Sequence, residues 1–171
     1  MDMIKGKEHF KPVKLLSKDS FYKNGFEHTV KDLQGCYSNS MFVLDDGVRF
    51  LYFFDVTKYQ NIRADFNDKE MFVESLKACV NRNLPPEELI YILKQFLKGR
   101  YYNVKLSFNQ RRVLRSLVYG ASTEVAIRTL GVRYKTWHNY KDAALKKLGI
   151  KNTLCYLRAA NEWSSHSLTF D

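Results

Sequence analysis

Cysteine, proline and glycine are all scarce in this 171-residue chain, at three, three and eight residues. So little proline and glycine excludes a collagen-like repeat and a flexible linker. Cys36, Cys79 and Cys155 are odd in number, widely scattered and form no C-x-x-C pair, which argues against a zinc finger or a disulfide framework and for a reducing compartment. No apolar run approaches the ~18 residues of a membrane span. Met1–Phe10 is polar and charged and carries no apolar signal-peptide stretch. The expected setting is therefore cytoplasmic, with no membrane contact. Motifs for chemistry are equally thin. His9, His28, His138 and His166 lie far apart, with no H-x-x-x-H spacing, and neither G-x-G-x-x-G nor G-x-x-x-x-G-K-[ST] occurs. The expectation is a protein without enzymatic activity, resident metal or cofactor.

What the chain does have is core material and positive charge. Twelve Phe, eleven Tyr and two Trp are too many large apolar residues for a disordered chain. The formal net charge is +10, and it is unevenly placed. Residues 101–171 hold twelve Lys/Arg against four Asp/Glu, a net of +8, whereas the first hundred hold sixteen against fourteen, a net of +2. A basic half attached to a near-neutral half suggests a polyanion-binding module on a second unit. Charge alone leaves a merely solvated basic face equally open.

Hydrophobic patterning supplies the elements. Residues 1–12 read as a charged lead. Val13–Ser17 reads as a short strand, followed by a helix capped by Asp19 or Ser20, running to about Asp32 and stopped at Gly35. Met41–Leu44 and Val48–Phe54 carry the strongest β signal, joined by the hairpin chemistry of Asp45-Asp46-Gly47. Asp68–Asn81 has helical spacing at Met71, Phe72, Leu76, Ala78 and Cys79. Pro86, Glu87 and Glu88 open a further helix that ends at Lys98-Gly99. Tyr101–Lys105 reads as a linker, with the domain boundary there: 1–100 and 101–171. Four short helices follow. Ser107-x-x-Gln110 fits a capping box, Ser122 caps the second helix, Gly131 turns into a third from about Tyr134 to Leu148, and Asn152 or Thr153 caps the fourth.

Leu106-Ser107-x-x-Gln110-x-x-Val113-Leu114, Gly120, Leu130-Gly131-Val132, Lys135-Thr136 and the run Leu145–Asn152 together resemble the C-terminal DNA-binding domain of LuxR-type (NarL/FixJ-type) bacterial transcriptional regulators. The resemblance implies an all-α four-helix helix-turn-helix domain whose third helix enters the major groove of double-stranded DNA and whose fourth helix carries a homodimer contact, here Leu154, Leu157 and Ala160. More distantly, Leu15–Phe26 resembles the first strand and helix of a response-regulator receiver, and Asn67–Leu89 followed by Lys98-Gly99-Arg100-Tyr101-Tyr102 resembles its last portion and exit linker. That implies an α+β or α/β N-terminal domain, a small sheet with helices, shortened and receiver-like. The receiver's paired acids fall on Ser17 and Lys18, which implies no magnesium site and no control by phosphorylation. Asp55, Asp45 or Asp46 could align with the phosphoacceptor; singly, each reads as an exposed turn acid whose replacement by Ala leaves DNA binding nearly unchanged. The hairpin signal conflicts with an all-parallel sheet.

On a helix from Tyr134, the residues Trp137, Ala144 and Leu148, with Tyr140, the Lys141 stem and Leu145, define a packed side. Lys135, His138, Asn139, Asp142 and Lys146 define the other. Asn139 could bond adenine bidentately, and His138 guanine or a phosphate. Lys135, Thr136, Lys146 and Lys147 would hold phosphates. Several positions depart from the family pattern, among them Trp137, which replaces a smaller aliphatic residue and reads as core rather than as a base-stacking ring. Arg133 stands where a Ser or Thr cap is usual, though it could reach a phosphate. Ala126-Ile127 inverts a usual Ile-Ala pair and places bulk at a close helix crossing. Asp142 replaces a usual cation and would be repelled by phosphates or accept from a cytosine. The expected function is a sequence-specific DNA-binding transcriptional regulator acting as a dimer. The alternative is an auxiliary interaction protein that heterodimerises with another regulator and reads few bases itself. RNA binding lacks an RRM or KH signature.

Overall fold

The computed structural model describes residues 12–33, 37, 39–59, 68–100 and 105–166. The charged lead up to residue 11, the stop at Gly35, Cys36 and the linker residues 101–104 lie outside them. The architecture is a mixed α/β fold: a four-stranded sheet with seven α-helices among the described residues. The strands are β1 (Val13–Leu16), β2 (Met41–Asp45), β3 (Phe50–Asp55) and β4 (Leu76–Asn81), in the order β1-β2-β3-β4.

Successive side chains of a strand point to opposite faces, and here both faces are covered. Val13, Leu15, Met41, Val43, Leu51, Phe53 and Ala78 pack under α1 (Ser20–Val30) and α3 (Pro86–Leu97). The alternate residues Leu16, Phe42, Leu44, Tyr52, Phe54 and Leu76 meet α2 (Asp68–Ser75), α4 (Phe108–Val118), α6 (Tyr134–Leu148) and α7 (Thr153–Ser164). Burial on both sides explains the near-continuous apolar runs MFVL and FLYFF. The charge balance changes near residue 100, but the packing does not divide there. Leu114, Leu148, Tyr156 and Trp163 share one core with Leu44, Tyr52 and Phe54, and the Tyr52 hydroxyl donates to the Cys155 carbonyl at 3.2 Å. On the surface, Arg115 joins α4 to α2 through Glu70 at 2.5 Å and Glu74 at 3.0 Å.

The sheet departs from a receiver's. A doubly wound receiver sheet is parallel, with its first strand inside it. Here β1 is an edge strand, parallel to β2, and β2–β3 and β3–β4 are antiparallel. The cause is local: the Asp46 carboxylate accepts from the amides of Val48, Arg49 and Phe50 and Gly47 takes φ +74°, which folds the chain straight back, and a parallel neighbour cannot be reached by so short a turn.

Asp68–Asn81, expected as one helix, is two elements. The helix ends at Ser75, whose hydroxyl turns back onto the Met71 carbonyl, and Leu76–Asn81 pairs with β3. Short apolar segments fit either period; the open edge of β3 decides this one by satisfying the backbone groups of residues 76–81.

Candidate nucleic-acid interface

The helical half is built as its local signals require. Ser107 and Gln110 form the reciprocal capping box of α4. Ser122 accepts from Val125 N–H to cap α5 (Thr123–Leu130), and Asn152 accepts from Cys155 N–H to cap α7. Arg133, at the N-cap of α6, makes no side-chain cap bond and is exposed. The inverted pair in α5 causes no clash. Ala126 is the residue at the crossing, buried with Val113 and Trp137, and Ile127 packs beside that cluster half-buried.

α6 divides cleanly around its axis. Trp137, Ala144, Leu145 and Leu148 are buried, whereas Lys135, Asn139, Asp142 and Lys146 are exposed. Spacings of four, three and four place those exposed residues in one stripe. Thr136 lies half-buried on its flank. His138 does not join the stripe. Its ring is half-buried, 4.3 Å from the Tyr134 ring and 4.9 Å from the Trp137 ring, with Nδ1 3.3 Å from Lys141 Nζ. Lys147 is exposed but held: its ammonium donates to the Lys105 carbonyl and to Gln110 Oε1, each at 3.0 Å. It ties α6 to the start of α4. Asp142 stands in the stripe with its side chain 71 % exposed, 3.7 Å from Lys141 Nζ.

The turn from α6 to α7 presses on the sheet. A Cβ at Gly149 would lie 2.9 Å from the Cys79 carbonyl oxygen, and its φ is +72°, so only glycine fits there. Beyond it, α7 lays its apolar face on the sheet. Tyr156, Ala159, Ala160 and Trp163 are buried, and the Trp163 ring sits 4.1 Å from that of Phe54. Of the three residues assigned to a dimer contact, Ala160 is therefore covered by its own chain, Leu157 packs half-buried against the same core, and Leu154 is exposed.

At the far end of α7, Glu162 faces His166, which lies just past the helix. Glu162 bonds Lys18 at 2.8 Å and lies 3.5 Å from His166. Burial first, opposed by Glu162 and aided by Lys18 and Lys23, holds the imidazole below its ordinary value of 6.5. A histidine depressed in the folded state takes up its proton more readily when unfolded, so stability falls as pH drops below 6.5 and levels off under the folded value. Urea midpoints at about pH 7.5 and about pH 5.5 should differ more in the native chain than in His166→Asn; equal differences would show that His166 contributes nothing.

The acids near the receiver-like position are not interchangeable. Asp45, at the C-terminal end of β2, is buried. Its Oδ2 accepts from Ser17 at 2.7 Å and Arg82 Nη2 at 3.2 Å, and its Oδ1 accepts from Gly47 N–H and lies 2.8 Å from Arg82 Nε. Arg82 also bonds Asp19 at 2.6 Å and stacks 4.2 Å over the Tyr22 ring. Burial works against the guanidinium charge, but the bonds to Asp19 and Asp45 outweigh it and raise its pKa above the ordinary value. Reading Asp45 as an exposed turn acid is thus corrected: it is half of a buried ion pair. Asp46 holds the turn described above, and Asp55 accepts from the Thr57 hydroxyl at 2.6 Å and its amide. Sequence reasoning missed Arg82 because it follows a segment taken as helix.

Burial pushes the Cys79 thiol up to about 12, and among the described residues no group of three His, Cys, Asp or Glu could hold a metal ion. No helix of the described residues is long and apolar enough to cross a membrane. Set against protein-family models, curated proteins and solved structures, the chain matches none of them.

Proposed function

We propose that this chain is a sequence-specific DNA-binding transcriptional regulator of LuxR type, with α6 as the helix that enters the major groove. The observation that carries this reading is the stripe of Lys135, Asn139, Asp142 and Lys146, exposed on a helix whose opposite side is locked by Trp137, Ala144 and Leu148. Such a helix presents a rigid row of polar groups, as direct base readout needs. The short α5 and the Gly131 turn precede it as in a helix-turn-helix. Arg133, Lys135 and Lys146 serve as phosphate anchors, and Asn139 as the base reader. Independence from phosphorylation is supported by Asp45, whose two oxygens are already engaged by Ser17, Gly47 and Arg82.

The test is titration of labelled duplexes, with the preferred site taken from selection on a random-sequence library. Asn139→Ala should cost roughly 1–3 kcal/mol on the selected site and almost nothing on mixed-sequence DNA. Equal loss on both would remove Asn139 as a base reader, and no binding at low salt would remove the reading itself. One observation favours the auxiliary-partner alternative: an exposed carboxylate, Asp142, stands in the stripe that would face the phosphates. In that reading the chain heterodimerises with another regulator, and Asp142→Asn does not tighten DNA binding.

A further inference from the structure

Beside the α6 stripe lies a cleft of about 410 Å³, between the C-terminal half of α6 and the first turn of α7. Leu145 and Ile150, both buried, are apolar parts of its lining. Its charged lining is Lys141, Asp142, Lys146 and Lys151, a net excess of two positive charges. Lys141 is spoken for: its side chain is 16 % exposed, 3.7 Å from Asp142, and its ammonium lies over the Trp137 ring. Lys146 and Lys151 are exposed and make no ion pair among the described residues. A cleft holding two uncompensated ammonium groups favours an anion. Asn152 and Thr153 also line it, so the first turn of α7, with its outward N–H groups and positive dipole end, adds to the same field.

We infer that this cleft seats a backbone phosphate of the DNA strand bordering the groove that α6 enters, with Lys151 and the Thr153 amide as contacts that no helix-face reading assigns. The inference rests on the DNA-binding reading above. Continuity selects this source over a free phosphate: Asp142 and Lys146 belong to both the cleft and the stripe, so a strand edge running past α6 passes the cleft mouth. Within this site Lys151 screens one phosphate charge, and the Thr153 amide donates to one of its oxygens.

The full chain is titrated with a fluorescent mixed-sequence duplex at several salt concentrations. Lys151→Ala should lower the slope of log affinity against log salt by about one unit, as the loss of one phosphate contact requires. Thr153→Pro removes one amide and no charge. Thr153 is the first residue of α7 and Asn152 before it is extended, so proline fits the helix there. It should weaken binding by roughly five-fold with the slope unchanged. Lys98→Ala, on the opposite layer of the fold, should alter neither. A wild-type slope in Lys151→Ala, while Lys146→Ala still loses a unit, overturns the cleft and leaves the DNA reading standing. Wild-type affinity in Thr153→Pro also overturns it. Saturation of the Thr153 amide resonance by inorganic phosphate, with duplex binding unaffected by either variant, assigns the cleft to a free anion instead. Absence of duplex binding by the native chain removes the DNA reading and the cleft proposal together.

Discussion

Arg82→Ala is expected to destabilise the protein by about 3–5 kcal/mol, lowering the melting temperature by about 6–20 °C. The Asp45 side chain is fully buried, and that of Arg82 is 16 % exposed. Removing the guanidinium leaves a carboxylate out of water with only Ser17 and Gly47 as donors, and an uncompensated buried charge costs far more than a surface ion pair is worth. The same substitution takes the Arg82 bond from Asp19, which keeps the Tyr22 amide it caps at the start of α1, so the β1–α1 corner loosens as well. Urea titration supplies the measurement, with a shifted midpoint and a slope near that of the native chain. Arg82→Met combined with Asp45→Leu removes both charges and should recover much of the loss, because an apolar pair of similar volume carries no desolvation cost. A loss under about 1 kcal/mol in Arg82→Ala would mean that Asp45 reaches water. For the same reason Asp45→Ala, expected from the sequence to be silent, is now expected to weaken the fold through an unpaired Arg82.

Trp163→Ala should cost a similar amount, about 3–5 kcal/mol. The Trp163 ring is completely buried and touches the aromatic centre of the core, 4.1 Å from Phe54, 6.1 Å from Phe42 and 6.0 Å from Phe72. Its removal opens a cavity between α7 and the sheet that rigid neighbours fill only in part. The substitution also leaves Trp137 as the one remaining tryptophan of the two in the chain, a fluorescent reporter within the helical half. Because one core runs through both halves, Trp137 emission and far-ultraviolet circular dichroism should report the same transition. Two separated transitions would show that the sheet and the helical half unfold independently. Leu157→Glu belongs to the same account. Leu157 packs against this core, so a charge there should lower stability rather than act on assembly alone.

Much of the helical half was legible because its signals are local. A capping box and Ser and Asn N-caps specify where α4, α5 and α7 begin, and glycines after the last turn specify where α4, α5 and α6 end, and these depend only on residues a few positions apart. The division of α6 into a packed and an exposed side follows from a 3.6-residue period and residue type, which is why Trp137 and Asn139 could be assigned to opposite sides. His138 could not, because a position on the margin of the apolar face goes wherever neighbouring rings leave room, and here Tyr134 and Trp137 take it in. Lys147 reads as a free cation for the same reason: nothing near it in sequence announces the Lys105 carbonyl and Gln110 that hold it.

By itself, then, the sequence determined a basic helical half with an exposed polar stripe on α6, an apolar side on α7 and a hairpin at Asp45–Gly47, each set by contacts within one element or one turn. Tertiary structure decided what those features meet. Periodicity states that a face is apolar, not what covers it, and α7 is covered by the sheet of its own chain, with Trp163 against Phe54, rather than left open for a two-fold mate. Residues 76–81 could be helix or strand until the free edge of β3 offered them backbone partners. Asp45 and Arg82 are 37 positions apart, and only the closing of the sheet brings them together. Once both are out of water, the cost of burying either charge alone makes the pair obligatory.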